Sequence, residues 1–307
     1  MAKTAFIFPG QGAQYVGMAK DFYDKYQECR RVIDEADELM DFDLKSIMFE
    51  ENELINKTEY TQAAMLAAEC CILKAVELKG IKADITAGLS LGEYAALVAS
   101  GALDFGDAMK LVRKRGIYME NEVPAGKGAM AAVIALDADI IDDICASITE
   151  ESKKVVTAAN YNCPGQIVIS GYKESVEAAE PKLKEAGAKL VTMLNVSGPF
   201  HSPMLKGAGD KLEEELKNVS FRDPEIPYIN NVAAEVVTDS GLISDSLRRQ
   251  VYSPVRWQQT MEKMLADGVD VFYEIGPGKT LAGFMKRIDR SKKVITINTV
   301  EDLEALA

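Results

Sequence analysis

A short apolar run, a glycine-flanked serine and an alanine-rich segment follow one another at residues 84–103. This order predicts a strand, a sharp turn and a helix, with Gly88 and Gly92 where the two backbones approach most closely. Ser90 should then be exposed at the apex of a strained turn, and the N–H of Leu91 should lie at a helix N-terminus that suits an oxyanion. The same pattern can serve packing alone, but its strand–helix context favours a nucleophile.

A serine hydroxyl needs a base beside it to act as a nucleophile. The chain has one histidine in 307 residues, His201, which lies in a loop with Gly198 and Pro199 after a strand-like run at 189–196. Such loops commonly carry site residues, although a lone histidine is often a hydrogen-bonded structural residue. Together, Ser90 and His201 indicate acyl chemistry.

Charge and cysteine content limit the class of protein. With 35 Lys and Arg against 48 Asp and Glu, the formal net charge is −13, which disfavours nonspecific binding to nucleic acid or to an anionic membrane. No apolar run is long enough for a membrane span or a signal peptide, so we expect a cytoplasmic protein. Five cysteines without C-x-x-C spacing predict reduced, mostly buried thiols rather than disulfides or a zinc site.

Residues 9–12, Pro-Gly-Gln-Gly, follow a strand-like run that ends at Phe8. A glycine-flanked loop at the carboxyl end of a strand is a common position for a site, and its exposed N–H groups can stabilise an oxyanion. A plain tight turn explains the same residues equally well. The loop alone therefore leaves both interpretations open.

An arginine interrupts the apolar face of a helix that Asp104 is predicted to cap and that should run to about residue 122. Leu111, Tyr118 and Met119 share that face with Arg115 by helical spacing. Snorkelling or a structural ion pair is the ordinary explanation for such an arginine. The alternative is a buried clamp for an anionic ligand group, since a guanidinium matches a carboxylate with two parallel hydrogen bonds.

The pattern of residues 126–196 differs from that of the chain on either side. It predicts strand 128–135, helix 137–149, strands 155–160 and 166–170, helix 173–186 and strand 189–196. This β-α-β-β-α-β order predicts an inserted ferredoxin-like subdomain over residues 126–196 within an α/β domain of residues 1–125 and 197–307. A cleft between the two is the expected ligand site.

Helical periodicity elsewhere predicts helices at 21–40, 61–78, 204–219, 242–252 and 257–266. One stretch, Gly278-Lys279-Thr280, imitates the end of a phosphate-binding loop. That pattern needs a glycine at position 273, where the chain has Tyr273. Nucleotide binding is therefore disfavoured.

Several separated motifs span nearly the whole chain. They are Pro9-Gly10-Gln11-Gly12, Gly88-Leu89-Ser90-Leu91-Gly92-Glu93-Tyr94, Arg115-Gly116 with Met119, Gly198-Pro199-Phe200-His201-Ser202, Gln250 with Pro254-Val255-Arg256-Trp257, and Glu274-Ile275-Gly276-Pro277-Gly278. Each is short, but their order and spacing make the combination specific, and together they resemble bacterial malonyl-CoA:acyl carrier protein transacylases, of the acyltransferase domain family. The resemblance implies a large hydrolase-like α/β domain with a ferredoxin-like insertion.

The resemblance also implies roles for individual residues. Ser90 would carry the acyl group, and His201 would act as general base and acid. The backbone carbonyl of Gln250 would orient His201, without a catalytic aspartate. The backbone N–H groups of Gln11 and Leu91 would form the oxyanion hole. The implied substrate-binding residues are Arg115, for the malonyl carboxylate, Met119, Gln62, Asn160 and Asn162.

The implied reaction is ping-pong transfer of a malonyl group from coenzyme A to the phosphopantetheine thiol of acyl carrier protein, in fatty acid biosynthesis and without a metal or other cofactor. We expect a monomer that binds malonyl-CoA and acyl carrier protein, and neither nucleic acid nor a membrane. Three alternatives stay open. They are an acyltransferase for another acyl unit such as methylmalonyl, in a polyketide pathway, a serine thioesterase or esterase, and a non-catalytic binding protein.

Two features qualify the resemblance. The family usually has histidine immediately before the nucleophile, whereas this chain has Leu89. The negative net charge should also oppose docking of an acidic carrier protein unless basic residues concentrate near the cleft. The candidate positions are Arg248, Arg249, Lys279, Lys286 and Arg287, or Lys182, Lys184 and Lys189 on the insertion.

Overall fold

Two β-sheets organise the computed structural model, which describes residues 2–306. Within that range the strands are β1 Lys3–Phe8, β2 Ile85–Gly88, β3 Gly128–Ile134, β4 Val156–Cys163, β5 Gln166–Tyr172, β6 Leu190–Met193, β7 Tyr228–Ile229, β8 Val236–Val237, β9 Val269–Ile275 and β10 Lys293–Ile297. The larger sheet has the order β10-β9-β1-β2-β7-β8. Its first five strands pair in parallel, and β8 is an antiparallel edge strand.

Helices cover both sheets. They are α1 Lys20–Lys25, α2 Gln27–Leu39, α3 Leu44–Phe49, α4 Thr58–Leu78, α5 Gly92–Ala99, α6 Phe105–Asn121, α7 Ala138–Ser152, α8 Lys173–Glu185, α9 Lys206–Leu216, α10 Ile243–Gln250, α11 Trp257–Ala266, α12 Thr280–Ile288 and α13 Val300–Glu304. Short 3₁₀ turns occupy Leu54–Asn56, Pro203–Leu205 and Ser240–Leu242. None of the helices within residues 2–306 is long and apolar enough to cross a membrane.

The second sheet has the order β4-β5-β3-β6, and all of its pairs are antiparallel. Its chain order, β3-α7-β4-β5-α8-β6, confirms the β-α-β-β-α-β sequence predicted for this stretch. Helices α7 and α8 bury their own apolar cluster against the sheet, including Ile141, Ile169 and Leu183. Backbone hydrogen bonds from Tyr161 N–H to the carbonyl of Val255 (2.9 Å) and from Val255 N–H to the carbonyl of Ala159 (2.8 Å) join β4 to the segment between α10 and α11.

The predicted helix 21–40 is wrong as a single element. The structure has α1 and α2 instead, separated at Tyr26, whose backbone is extended (φ −110°, ψ 124°). Apolar positions Phe22, Cys29 and Ile33 are buried on both sides of the break. The helical period therefore continues across the break, which is why the pattern predicted one helix.

Helix α4 is buried on nearly all sides and lies beside α6. At Gly116 of α6 an added Cβ would lie 2.9 Å from the Cα of Glu59 and from the carbonyl oxygen of Thr58. Only a residue without a side chain permits this approach. The close approach of the two helices places Arg115, the residue before Gly116, against Gln62 of α4.

The five cysteines are unpaired and buried, as their spacing predicted. They fill positions in all three hydrophobic clusters of the core and so act as small apolar side chains.

Candidate active site

The turn between β2 and α5 is as tight as the glycine pattern predicted. A Cβ on Gly88 would lie 1.9 Å from the carbonyl group of Gly92, and one on Gly92 would lie 2.4 Å from the carbonyl oxygens of Phe8 and Pro9. Ser90, at the apex, has a left-handed backbone with φ 54°. This conformation costs a residue with a Cβ about 1–2 kcal/mol, so the surrounding contacts must hold it.

Asn231, which the sequence patterns did not single out, supplies those contacts. Its Oδ1 accepts a hydrogen bond from the N–H of Ser90 (2.6 Å), and its Nδ2 donates to the carbonyl of Gly88 (2.7 Å). The side chain is fully buried. One amide therefore ties both limbs of the turn together, a role that no local sequence signal marks.

Ser90 and His201 form a hydrogen-bonded pair. Ser90 Oγ lies 2.7 Å from His201 Nε2, and His201 Nδ1 lies 2.8 Å from the backbone carbonyl oxygen of Gln250. A carbonyl can only accept, so Nδ1 carries the proton and Nε2 is left to accept the serine proton. The orienting group is thus a backbone carbonyl, in the place where many serine hydrolases have a carboxylate.

Burial lowers the pKa of His201 to about 4, helped by the positive charge of Arg115 and opposed by hydrogen bonds to the backbone of Gln250 and Ser253. The imidazole is therefore neutral near pH 7 and ready to accept a proton. The same environment makes the imidazolium a strong acid, which returns its proton readily to a leaving group.

The backbone N–H groups of Leu91 and Gln11, two residues that line the cavity at Ser90, are candidate oxyanion donors. Among residues 2–306, neither Leu91 N–H nor Gln11 N–H donates a hydrogen bond to another protein group. Leu91 precedes the first turn of α5, where the helix dipole adds partial positive charge. The side chain of Gln11 is held by Thr58, with Gln11 Nε2 3.0 Å from Thr58 Oγ1. Donors fixed in this way suit the charge of a tetrahedral intermediate.

Arg115 is 1% exposed and reaches the nucleophile. Its Nη2 donates to Ser90 Oγ (3.1 Å) and to Gln250 Oε1 (2.9 Å), and its Nη1 donates to Gln62 Oε1 (2.7 Å). Its Nε is buried without a hydrogen-bond partner. A buried guanidinium with no direct carboxylate partner and one unused donor is unusual for a structural arginine, because buried charges are normally paired.

Glu93, a motif residue for which the sequence implied no role, lies behind this group. Its Oε2 accepts from Gln250 Nε2 (2.8 Å) and from the N–H of Asn231 (3.2 Å). Gln250 Nε2 also donates to the carbonyl of Ser90 (2.8 Å). Gln250 therefore contacts the base through its backbone and the arginine through its side chain, which is more than the sequence had implied for it.

A cavity of about 250 Å³ opens onto Ser90, and residues of the second sheet and of the loops after β1 and β2 line it. The second sheet contributes Asn160 and Asn162 from one face of β4, and Met119 lies beside Gln62, whose Nε2 is 3.6 Å from Met119 Sδ. Leu89 adds an apolar side chain to the wall. The predicted site residues that line it are Ser90, His201, Gln11, Leu91, Arg115, Met119, Gln62, Asn160 and Asn162, while Gln250 lies just behind it.

The chain is similar to known proteins over nearly its whole length. The family model described as acyl transferase domain matches residues 5–301. The malonyl CoA-acyl carrier protein transacylase of Bacillus subtilis (strain 168) is 46% identical over 305 residues, covering 99% of this chain and 96% of the relative.

Solved structures extend the similarity to the whole fold. An acyl carrier protein S-malonyltransferase from Vibrio cholerae is 43% identical, with a TM-score of 0.96 and complete coverage of both chains. A malonyl-transacylase solved in complex with its type II polyketide acyl carrier protein is 39% identical, with a TM-score of 0.95 over 99% of this chain and 98% of that one.

Proposed function

The chain belongs to the acyl transferase domain family, and we propose that it transfers a malonyl group from coenzyme A to the phosphopantetheine thiol of acyl carrier protein, through a malonyl-serine intermediate in fatty acid biosynthesis. The observation that carries this proposal is the contact between buried Arg115 and the Ser90–His201 pair. A cationic group this close to the nucleophile suits an acyl group that ends in a carboxylate.

In the first half-reaction, Ser90 Oγ attacks the thioester carbonyl of malonyl-CoA while His201 Nε2 accepts the hydroxyl proton. The N–H groups of Leu91 and Gln11 stabilise the resulting oxyanion. The intermediate then breaks its carbon–sulfur bond, and His201 returns the proton to the sulfur. The products are coenzyme A and malonyl-Ser90, with His201 neutral again.

The second half-reaction repeats these steps with a different thiol. The phosphopantetheine thiol of the carrier protein enters, His201 takes its proton, and sulfur attacks the serine ester. Breaking the carbon–oxygen bond releases malonyl-carrier protein, and the proton returns to Ser90 Oγ. The proposed scheme needs only the two substrates and this chain's own residues.

Arg115 selects the acyl group in this proposal. One methylene group separates the malonyl carboxylate from the ester carbonyl, so the carboxylate of malonyl-Ser90 stays close to Arg115. There it replaces Ser90 Oγ as the acceptor of Nη2 and accepts a hydrogen bond from the unused Nε donor. Gln62 and Gln250 keep the guanidinium in place from both sides. Asn160 and Asn162 face the cavity from β4 and are the proposed polar contacts on its opposite wall.

The proposed domain division follows the two sheets. Residues 1–125 and 197–307 form the hydrolase-like catalytic domain, and residues 126–196 form the ferredoxin-like subdomain. The antiparallel order β4-β5-β3-β6 supports the second description, because a β-α-β-β-α-β unit with this strand order is the ferredoxin-like arrangement. Substrate would enter between the two.

Acyl carrier protein is the partner, and we place its docking surface on the exposed face of α12. Lys279, Lys286 and Arg287 are exposed there, while Thr280, Leu281 and Phe284 line the cavity. None of these three cations belongs to an ion pair of residues 2–306. Unpaired positive charge at the mouth of the cavity suits an acidic carrier.

The other basic candidates are less suitable. Arg248 pairs with Asp210, Glu213 and Asp245, and Arg249 also pairs with Asp245. On the insertion, Lys182 pairs with Glu151 and Lys184 with Glu180. Of the three candidates there, Lys189 alone has no ion pair with a residue in the range 2–306. Their charge is largely matched within this chain. The monomeric state and the cytoplasmic location stay predictions.

Mass spectrometry of the intact protein tests the proposed function. Mixing with malonyl-CoA should add one malonyl group to Ser90, and adding phosphopantetheinylated carrier protein should remove it and yield malonyl-carrier protein. Release as free malonate would instead indicate a thioesterase. Equal labelling by methylmalonyl-CoA would favour an acyltransferase of broader acyl range, and no acyl-enzyme at all would contradict the proposal.

A further inference from the structure

Glu93 is a fully buried carboxyl group three residues after the nucleophile, in the first turn of α5. Its Oε2 accepts hydrogen bonds from the side chain of Gln250 and the backbone of Asn231, while its Oε1 has no partner. The proposed reaction scheme does not use it. A buried carboxyl group beside an active site, with only one of its two oxygens hydrogen-bonded, calls for a physical explanation.

The contact with Glu93 decides which way the amide of Gln250 faces. An ionised carboxylate can only accept hydrogen bonds, so it must face the NH₂ group of Gln250, which leaves Gln250 Oε1 toward Arg115. The carbonyl of Ser90, also an acceptor, requires the same orientation. The reverse orientation would place NH₂ against the guanidinium, donor against donor.

The amide of Gln250 also separates two opposite buried charges. Arg115 and Glu93 form no direct ion pair, but each is hydrogen-bonded to one end of that amide. Their mutual attraction is screened little, because both groups are fully buried. Each therefore serves as the other's compensating charge in the resting protein.

We propose that Glu93 is a positioning residue with two effects. It fixes the orientation of the amide of Gln250, and its charge, across that amide, balances the charge of Arg115 and so weakens the binding of the substrate carboxylate to Arg115. This rests on the proposed function, in which that carboxylate binds Arg115. A second anion entering beside Arg115 meets the repulsion of Glu93 as well as the attraction of the guanidinium. Weaker binding of the carboxylate to Arg115 lets the malonyl group leave for the carrier protein.

The ionisation of Glu93 allows the proposal to be tested by varying the pH. Burial raises the pKa of Glu93 to about 7, against the hydrogen bonds from Gln250 and Asn231 and the charge of Arg115. The other titratable groups around it are Arg115 on α6, His201 in the loop before α9, Tyr94 on α5 and Tyr228 on β7. Burial raises the pKa of both tyrosines and lowers that of His201 to about 4, so between about pH 5 and 9 Glu93 alone changes charge.

The experiment compares Ser90 acylation by malonyl-CoA and by acetyl-CoA, which has no carboxylate. Glu93→Gln keeps an oxygen that can accept from Gln250 but removes the charge. The malonyl-to-acetyl ratio of kcat/KM should rise roughly 10- to 100-fold, the size expected for removing a like charge about 6–12 Å away at an effective dielectric near 20. Glu93→Ala, which also removes the acceptor, should slow acylation by both thioesters.

The pH dependence gives a readout in the unaltered protein. Its malonyl-to-acetyl ratio should fall as pH rises through about 7, because Glu93 then becomes charged, and Glu93→Gln should remove this dependence. The matched control is Glu69→Gln on α4. Glu69 is also fully buried but, unlike Glu93, has no hydrogen-bond partner within residues 2–306, and its change should leave the ratio and its pH profile unchanged.

The outcomes separate the two proposals. Failure of malonyl-CoA to acylate the unaltered protein overturns the proposed function. Normal acylation with a pH-independent ratio, or with equal effects of Glu93→Gln on both thioesters, overturns the inference about Glu93 alone. Should Glu93→Gln fold poorly, the pH profile of the unaltered protein still decides.

Discussion

His201 Nε2 lies 2.7 Å from Ser90 Oγ across a sequence separation of 111 residues, and both residues have left-handed backbones, with φ 58° and 54°. Two strained residues facing each other cannot be maintained by local preference, since each costs about 1–2 kcal/mol. Asn231 holds one and the carbonyl of Gln250 holds the other. The reactive pair is thus fixed by its surroundings before any substrate arrives.

The strain at the nucleophile predicts a difference between two inactive variants. Ser90→Ala and Ser90→Gly both remove the hydroxyl and should abolish the acyl-enzyme. Glycine adopts φ 54° without penalty, so Ser90→Gly should unfold with a free energy about 1 kcal/mol higher than Ser90→Ala. Denaturant unfolding measures this difference. Equal stabilities would contradict the backbone strain at residue 90, and a malonyl mass increment on either variant would contradict Ser90 as the nucleophile.

Arg115→Ala should change the preference for the acyl group. Leaving the malonyl carboxylate unpaired in a buried site costs about 2–5 kcal/mol, which is roughly 30-fold to a few thousand-fold in kcat/KM for malonyl-CoA. Acetyl-CoA should lose little, because it has no carboxylate. Steady-state kinetics with both thioesters check this, and an equal fall for both would make Arg115 a structural residue.

The depressed pKa of His201 predicts activity well into the acid range. Because the folded-state pKa is about 4, the imidazole stays neutral and can accept the serine proton down to about that pH, and activity falls only below it. Acetyl-CoA is the substrate of choice for the pH profile, since it does not interact with Arg115 through a carboxylate. Arg115→Ala removes a neighbouring positive charge and should move the acid limb to higher pH. An acid limb at the ordinary histidine pKa, near 6.5, would contradict the buried, neutral base.

Asn231→Ala should weaken the active site without changing its selectivity. The variant leaves Ser90 N–H and the carbonyl of Gly88 without their partner, which costs about 1–3 kcal/mol of stability. Acylation by malonyl-CoA and acetyl-CoA should fall by the same factor, because the turn and not the carboxylate contact is disturbed. Kinetics and denaturant unfolding measure the two effects. A selective loss of malonyl transfer would place Asn231 in substrate recognition instead.

Charge reversal on α12 should separate the two half-reactions. Lys286→Glu with Arg287→Glu should slow transfer to the carrier protein about 10-fold or more at low salt, and leave Ser90 acylation by malonyl-CoA unchanged. The matched control is Lys182→Glu with Lys184→Glu, where the charges are already paired within the insertion. Single-turnover measurements follow each step. A larger effect from the insertion pair, or equal loss in both half-reactions, would refute docking on α12.

Local sequence patterns were sufficient for the parts of the fold that local forces determine. The glycines at 88 and 92, the Asp104 cap and the alternation of strands and helices in 126–196 each report short-range geometry. The structure has the cap as predicted, with Asp104 Oδ1 accepting from the N–H groups of Gly106 and Asp107. Two features were not predicted. The break at Tyr26 was missed because the helical periodicity continues through it, and strand β10 was missed because it depends on pairing with β9.

The residue types that could do the chemistry are evident in the sequence: one histidine, a serine between glycines and an arginine on an apolar face. Their meeting depends on the tertiary fold, as do the contacts of Glu93, Asn231 and the side chain of Gln250 that hold them in place. The physical reason is that hydrogen bonds between buried groups far apart in sequence form only where packing of the surrounding helices and strands brings them together and excludes water. No pattern of neighbouring residues encodes that distance.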